Sequence, residues 1–332
     1  MNEPIRYCIT IDTEEEWDWN TGYPTGPTRV QNIQQLPRFQ QLANTYGAAV
    51  VYFTNYAVLA DPQSRQIIQD LAREPRTEIG LHIHPWNTPP LDPEATVSER
   101  NSYLHNLPWP EAKAKLDSVL AAFASANLKP TSYRGGRYSS SPQIQHYLRE
   151  LGLGVDCSVL PYISWKDDGA PDFRNRDATP QRHEHHGQPI WELPLTLGPT
   201  RLPVSRWMNI LRLAKSKVGR TLRITGILER LGIVSQVWLN LENPDAGDIV
   251  KYLGVLRKLR PPFVSFTLHS SSLLQCGSPY VPTQAHVDRI YERTESMLKL
   301  LNSWPEFAPA TMTEIAQHLE NAHAHHRNES TR

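Results

Sequence analysis

Residues 48–82 read AAVVYFTNYAVLADPQSRQIIQDLAREPRTEIGLH. An apolar run, Ala48–Phe53, leads into a stretch of helical spacing, Gln63–Arg73, and then into a second apolar run, Thr77–His82. Strand, helix, strand in that order is a βαβ unit, whose two strands lie parallel in one sheet. The same alternation extends to both sides. Upstream, Ile5–Ile11 reads as a short buried strand, and Val30–Tyr46 spaces Ile33, Leu36, Phe39 and Leu42 as a helix stopped by Gly47. Downstream come helix Glu111–Ala126, strand Thr131–Arg134, helix Pro142–Leu151 and strand Gly154–Ser158. Strands Ile190–Leu193 and Gln236–Leu239, helix Ala246–Leu259, strand Phe263–Leu268 and helices Gln284–Leu301 and Thr313–Glu320 complete the series. The expectation is an α/β fold with a parallel sheet, closed or nearly closed. Without repeats or low-complexity linkers, the reading is a single domain over 1–322, followed by a flexible tail over 323–332.

The chain has 332 residues, 34 basic and 34 acidic side chains and no net charge. That balance argues against a nucleic-acid partner, which calls for a strongly basic face. Three cysteines, Cys8, Cys157 and Cys276, lie far apart with no C-x-x-C pair, so neither a zinc ribbon nor a disulfide framework is indicated. Cys157 reads as a core thiol, with no activating base beside it. No apolar run approaches the roughly 18 residues a membrane span needs. The start, MNEPIRYCITIDTEEEW, has neither the basic beginning nor the long apolar stretch of a secretory signal, which sets a cytoplasmic expectation.

In a parallel barrel, reactive groups gather where strands end. Four strand ends here carry unusual polar groups. Asp12–Glu16 follows the first strand; several carboxylates at one place repel unless cations compensate. Asp12 and Glu14, two apart, suit a base and a metal ligand, or else belong to a solvated acidic loop. His82 and His84 alternate on one strand face about 6–7 Å apart and can share a divalent metal with a carboxylate, or serve as structural histidines. Arg134, before Gly135 and Gly136, reaches inward to hold a carboxylate. His269, after an apolar strand, suits a general acid. Trp17, Trp19, Trp86, Trp109 and Trp165 near these loops are candidates for stacking on sugar rings or for ordinary packing.

These pieces, in this order, resemble the polysaccharide deacetylase family, also called carbohydrate esterase family four, over roughly Ile5 to His269. The resemblance implies an irregular (β/α) barrel and a metal-dependent hydrolase that removes N-acetyl groups from a sugar or glycan, in surface polysaccharide biosynthesis. The family's T-F-D-D-G is matched by Thr10-Ile11-Asp12-Thr13-Glu14, which puts the base on Asp12; Thr13 replaces the usual second aspartate, so the ligand role passes to Glu14. Its two histidines four apart become His82 and, because Trp86 stands at the fourth position, His84, as in subgroups with G-x-H-x-H-P-W. R-x-P-x falls on Arg134-Gly135-Gly136-Arg137, so Arg134 orients Asp12. Asp156 takes the place of the aspartate that supports the acid histidine. Leu268-His269 matches the last motif, with His269 as acid and Leu268 in the acetyl pocket. A backbone N–H near Tyr138 assists the oxyanion, and Trp86 counts among the substrate contacts. Zinc is the first expectation for a His₂–carboxylate set, with nickel, cobalt or iron fitting the same ligands. Alternatives are a hydrolase of another C–N bond, of cyclic imide or ureide type, and a catalytically inactive glycan-binding barrel.

Two segments fall outside this pattern. Residues 205–234 carry Arg206, Arg212, Lys215, Lys217, Arg220, Arg223 and Arg230 against Glu229, with Trp207, Ile210, Leu211, Leu213 and Leu222 on an apolar side. They read as a basic helical insertion packed on the barrel with a solvated basic face, or else as a lid or a surface that meets an anionic substrate or, peripherally, a membrane. His183–His186, H-E-H-H, looks metal-binding by composition but lies in what reads as a polar loop.

Overall fold

A computed structural model describes all residues other than 1–2, 27, 93, 95, 186, 215–222, 232, 243–245 and 331–332. The strands are β1 (Ile5–Thr13), β2 (Val50–Thr54), β3 (Thr77–Ile83), β4 (Tyr133–Gly135), β5 (Val155–Asp156), β6 (Gln181–His185), β7 (Gln188–Glu192), β8 (Leu197–Pro199), β9 (Gln236–Trp238), β10 (Phe263–His269) and β11 (Phe307–Pro309). The described helices are α1 (Leu36–Thr45), α2 (Tyr56–Ala60), α3 (Pro62–Leu71), α4 (Trp109–Ser125), α5 (Pro142–Glu150), α6 (Val204–Ala214), α7 (Ile224–Arg230), α8 (Ala246–Leu259), α9 (Gln284–Asn302) and α10 (Met312–Ser330).

The sheet runs β10-β1-β2-β3-β4-β5-β7-β6, with β11 also on β1. Its pairs are parallel except β6–β7. Closure is irregular. The chain beyond β7 bonds the chain beyond β5 through Leu195 N–H to the Val159 carbonyl at 2.9 Å, and Leu239 N–H beyond β9 reaches the Thr196 carbonyl at 3.0 Å. Leu239 and Leu241 then bracket Thr267 of β10 by exchanged backbone bonds of 2.9 Å. One or two hydrogen bonds at each joint thus complete the ring where β8 and β9 form a short antiparallel pair of their own. β1, paired with β10, β2 and β11, is buried along almost its whole length, so its side chains contribute to the core on both faces.

Helix α1 begins only at Leu36, because Gln31–Gln35 forms a 3₁₀ turn ahead of Pro37. Gly47, at φ +63, ends that stretch as expected of a glycine stop. The expected tail is different: α10 continues to Ser330, past residue 323. Residues 321–330 hold neither glycine nor proline, so nothing in that stretch breaks the hydrogen-bond ladder. The H-E-H-H stretch is not a loop but the end of β6, with His186 outside the described residues. Within the basic insertion, α6 and α7 are helical as expected, while Lys215, Lys217, Arg220 and Leu222 lie outside the described residues. None of the described helices is long and apolar enough to cross a membrane.

Candidate metal centre and active site

The carboxylates after β1 avoid mutual repulsion by taking separate partners. Asp12 accepts from Arg134 Nη1 at 2.7 Å, while Arg134 Nη2 donates to Thr10 Oγ1 at 2.9 Å. Glu15 accepts from His84 Nδ1 at 2.8 Å, Trp86 Nε1 at 3.2 Å and Asn55 Nδ2 at 2.5 Å. Glu16 accepts from the backbone N–H of Asn32 at 2.7 Å. Glu14 faces the histidines. All four carboxylates are buried, so each would be costly without such a partner. Arg134 therefore reaches Asp12 through one nitrogen rather than as a two-pronged clamp.

His82 and His84 alternate along the end of β3, and both rings turn toward Glu14. Glu14 Oε2 stands 3.4 Å from His82 Nε2 and 3.2 Å from His84 Nε2, and the two Nε2 atoms are 3.2 Å apart. Tetrahedral bonds of about 2.0–2.1 Å around one ion put ligand atoms about 3.3–3.4 Å apart, so these three atoms already stand at the corners of such a face. The outer nitrogens fix the tautomers. His82 Nδ1 donates to the Arg134 carbonyl at 2.7 Å and His84 Nδ1 donates to Glu15, which leaves each Nε2 lone pair aimed inward. Two inward lone pairs and a carboxylate without a proton or cation between them would all be acceptors. Glu14, His82 and His84 thus form a buried group able to hold a metal.

Electrostatics agree with that demand for positive charge. Burial alone would lower His84, but Glu15 and Glu14 outweigh it and push it up to about 10. Burial alone would raise Glu14, yet the histidines draw it well below the carboxylate range. Asp12, likewise buried, is held below its ordinary value by Arg134, His82 and His269.

His269 ends β10 directly opposite Asp12 in register, with Nε2 3.9 Å from Asp12 Oδ2. Its Nδ1 donates to Glu242 at 2.9 Å. Burial would lower its pKa, but Glu242 and the nearer site carboxylates raise it to about 10. Here the expected supporting residue is corrected. Asp156 sits on β5 and accepts from Ser140 Oγ at 2.5 Å, Gln145 Nε2 at 2.9 Å and the Ser158 N–H at 2.9 Å, so its carboxylate is committed elsewhere. Glu242 escapes a reading of the sequence because it stands 27 residues before His269, beyond the short strand β9, and no spacing links the two.

Asp12, Glu14, His82, His84 and His269 line one cleft of about 470 Å³. Its walls include Trp17, Trp19, Tyr23, Trp86, Tyr138 and Trp165, with Trp238 against Tyr138 and Tyr280 against Trp19. Trp86 stacks on His84 with ring centroids 4.2 Å apart, and Trp19 meets His269 edge-on at 5.3 Å. Trp109 is not a wall residue; it lies on α4 against Tyr147. Leu268 is also placed differently from expectation. It points away from its neighbour His269 into the main hydrophobic core, as alternation along β10 requires.

The Gly135–Gly136 pair is needed for closeness rather than for an unusual turn. A Cβ on Gly136 would stand 2.3 Å from His84 Cδ2, and one on Gly135 1.8 Å from the Ser139 carbonyl oxygen. The left-handed backbone falls instead on Arg137 (φ 54) and Tyr138 (φ 63), whose side chains enter the cleft wall at the cost of strain.

No family model matches the sequence, and neither does any curated protein. Solved structures do match. The chain is similar to a protein described as a polysaccharide deacetylase from Mycobacterium smegmatis, with TM-score 0.57 and 13% identity over 97% of this chain and 92% of that one. It is similar to Puue allantoinase with TM-score 0.53 and 13% identity, covering 96% and 91%. The fold is the deacetylase–allantoinase barrel. A 4-alpha-glucanotransferase from Thermococcus litoralis shares it with TM-score 0.54 and 11% identity, although only 40% of that longer chain is covered. The mostly parallel sheet and its covering helices are common ground for these proteins and this chain.

His183, the best placed of the H-E-H-H residues, is engaged by Glu192 at 2.5 Å. Among the described residues, Glu14, His82 and His84 are the group with metal-binding geometry.

Proposed function

We propose that the protein is a metal-dependent amide hydrolase that removes N-acetyl groups from a sugar or glycan. The observation that carries this reading is the Glu14–His82–His84 group standing next to an Asp12–Arg134 pair and a Glu242–His269 pair in one aromatic cleft. Glu14, His82 and His84 would hold a divalent cation, which would supply Lewis acidity toward an amide carbonyl and water. Asp12, kept ionised by Arg134, takes the proton from the attacking water. His269, kept protonated by Glu242, gives its proton to the departing nitrogen as the C–N bond breaks and the C–O bond forms. The products are acetate and a free amine. Tyr138, on strained backbone at the cleft wall, offers a backbone N–H toward the carbonyl oxygen. Trp17, Trp19 and Trp165 suit the flat faces of sugar rings, which favours a glycan over a small ureide in a cleft this wide, whereas Trp86, expected as a substrate contact, is buried against His84 and serves as packing.

The test is metal content by elemental analysis together with acetate release from N-acetylated oligosaccharides. Near-stoichiometric metal in the wild type, lost in His82→Ala and His84→Ala, with acetate released only by the loaded protein, is the expected result. Ureide hydrolysis without acetate release would replace the substrate assignment. A wild type that neither carries metal nor takes up added divalent ions would overturn the hydrolase.

A further inference from the structure

The basic insertion presents a surface that the proposed chemistry does not use. Its inner side is anchored: Met208 and Leu211 of α6 pack with Val234 and Tyr162. Tyr162 also joins Tyr138 and Trp238 of the cleft wall around Leu160, Leu195 and Leu197. The outer side is not covered. Leu213, a heptad after Arg206 on α6, is 71% exposed. On α7, Ile227 is 52% exposed and Leu231, just past its end, 68%, with Arg230 between them on the same helical face. Leu202, ahead of α6, is 41% exposed. Aliphatic side chains left open to this degree lose hydration free energy that a covering phase would return.

Charge identifies the phase. Between 201 and 231 the sequence places eight basic residues against the single acid Glu229, in a chain of zero net charge. Of these eight, Lys215, Lys217 and Arg220 lie outside the described residues and count by sequence alone. A soluble polyanion would answer the cations and leave the leucines wet, while an apolar protein face would bury leucines and strand the cations. A bilayer with anionic headgroups accepts both, with arginines at phosphate level and aliphatic tips in the acyl boundary. We infer that α6 and α7 form a docking surface for an anionic lipid membrane, beside the wall of the catalytic cleft. This rests on the surface alone and stands whether or not the protein hydrolyses an acetamide.

The experiment is cosedimentation of the full chain with vesicles of phosphatidylcholine, alone or with about 30% phosphatidylglycerol. The wild type is expected to sediment with the anionic vesicles only, and to be released as salt rises to about 0.5 M. A combined Leu213→Asn, Ile227→Asn, Leu231→Asn variant is expected to lose roughly tenfold in binding while keeping its far-UV circular dichroism. Arg206→Gln with Arg230→Gln is expected to weaken binding by a similar factor. Wild type that fails to sediment with anionic vesicles would overturn the inference. So would full retention of binding by the aliphatic variant, which would assign the surface to a soluble polyanion instead.

Discussion

At the scale of single residues, the site is a set of paired obligations. Glu15 never touches the ligand face, yet it fixes the His84 tautomer and is fixed in turn by Asn55 and Trp86. Removing such an outer partner ordinarily costs about 10–100-fold in metal affinity. Glu15→Gln is therefore expected to weaken metal binding by about that factor, measured by competition with a chromophoric chelator; an unchanged affinity would separate Glu15 from the site. Glu242 has a different signature. In the proposed reaction His269 acts in its protonated form, so its contribution is present below its pKa and is lost as pH rises through about 10. Without the Glu242 charge, burial prevails and the pKa falls. In Glu242→Gln the descending limb of the kcat/KM profile should move to lower pH, by about 1 to 3 units, with metal content unchanged. A limb that stays in place would show that some other group donates the proton.

At the scale of elements, the turn after β4 is the tightest joint in the site. Gly136→Ala would drive a methyl group into His84 Cδ2 and the Ile83 carbonyl, and the backbone there has no room to yield. The expected outcome is a loss of roughly 1–3 kcal/mol together with reduced metal content. Gly254→Ala is the useful contrast. It lies in α8, where an added methyl would meet nothing within 4 Å, so a gain of about 1 kcal/mol is expected by thermal or urea unfolding. The same scale explains what the sequence makes legible. β1, β3 and β10 are long, apolar and period-regular, so their C-terminal ends, and with them Asp12, His82, His84 and His269, can be located from pattern alone. β8 and β11 are three residues each and leave no periodic trace. β6 is polar throughout and is tied by Arg182 to Glu184 and Glu320, so its sequence reads as a loop. Glu242 is beyond reach for a related reason: its meeting with His269 is made by ring closure, not by spacing along the chain.

At the scale of the molecule, the end of β3 and the loop after β1 meet at the metal group. A cation bound by the native state alone stabilises it by mass action, about 2.7 kcal/mol at a hundredfold excess over its Kd. Stripping the protein with a chelator should therefore lower its midpoint of thermal unfolding, and restoring zinc should return it, with no such response in His82→Ala. Equal melting with and without metal would place the ligand group outside the cooperative unit. The barrel's hidden dependence lies in β1. Ile5–Tyr7 pair with Phe307–Pro309, Ile9–Thr13 with β2, and Arg6–Asp12 with β10 on the other side. During synthesis, the strand that carries Asp12 leaves the ribosome ahead of the strands it pairs with and waits for partners made some 250 and 300 residues later, so the candidate site acquires its full set of neighbours late.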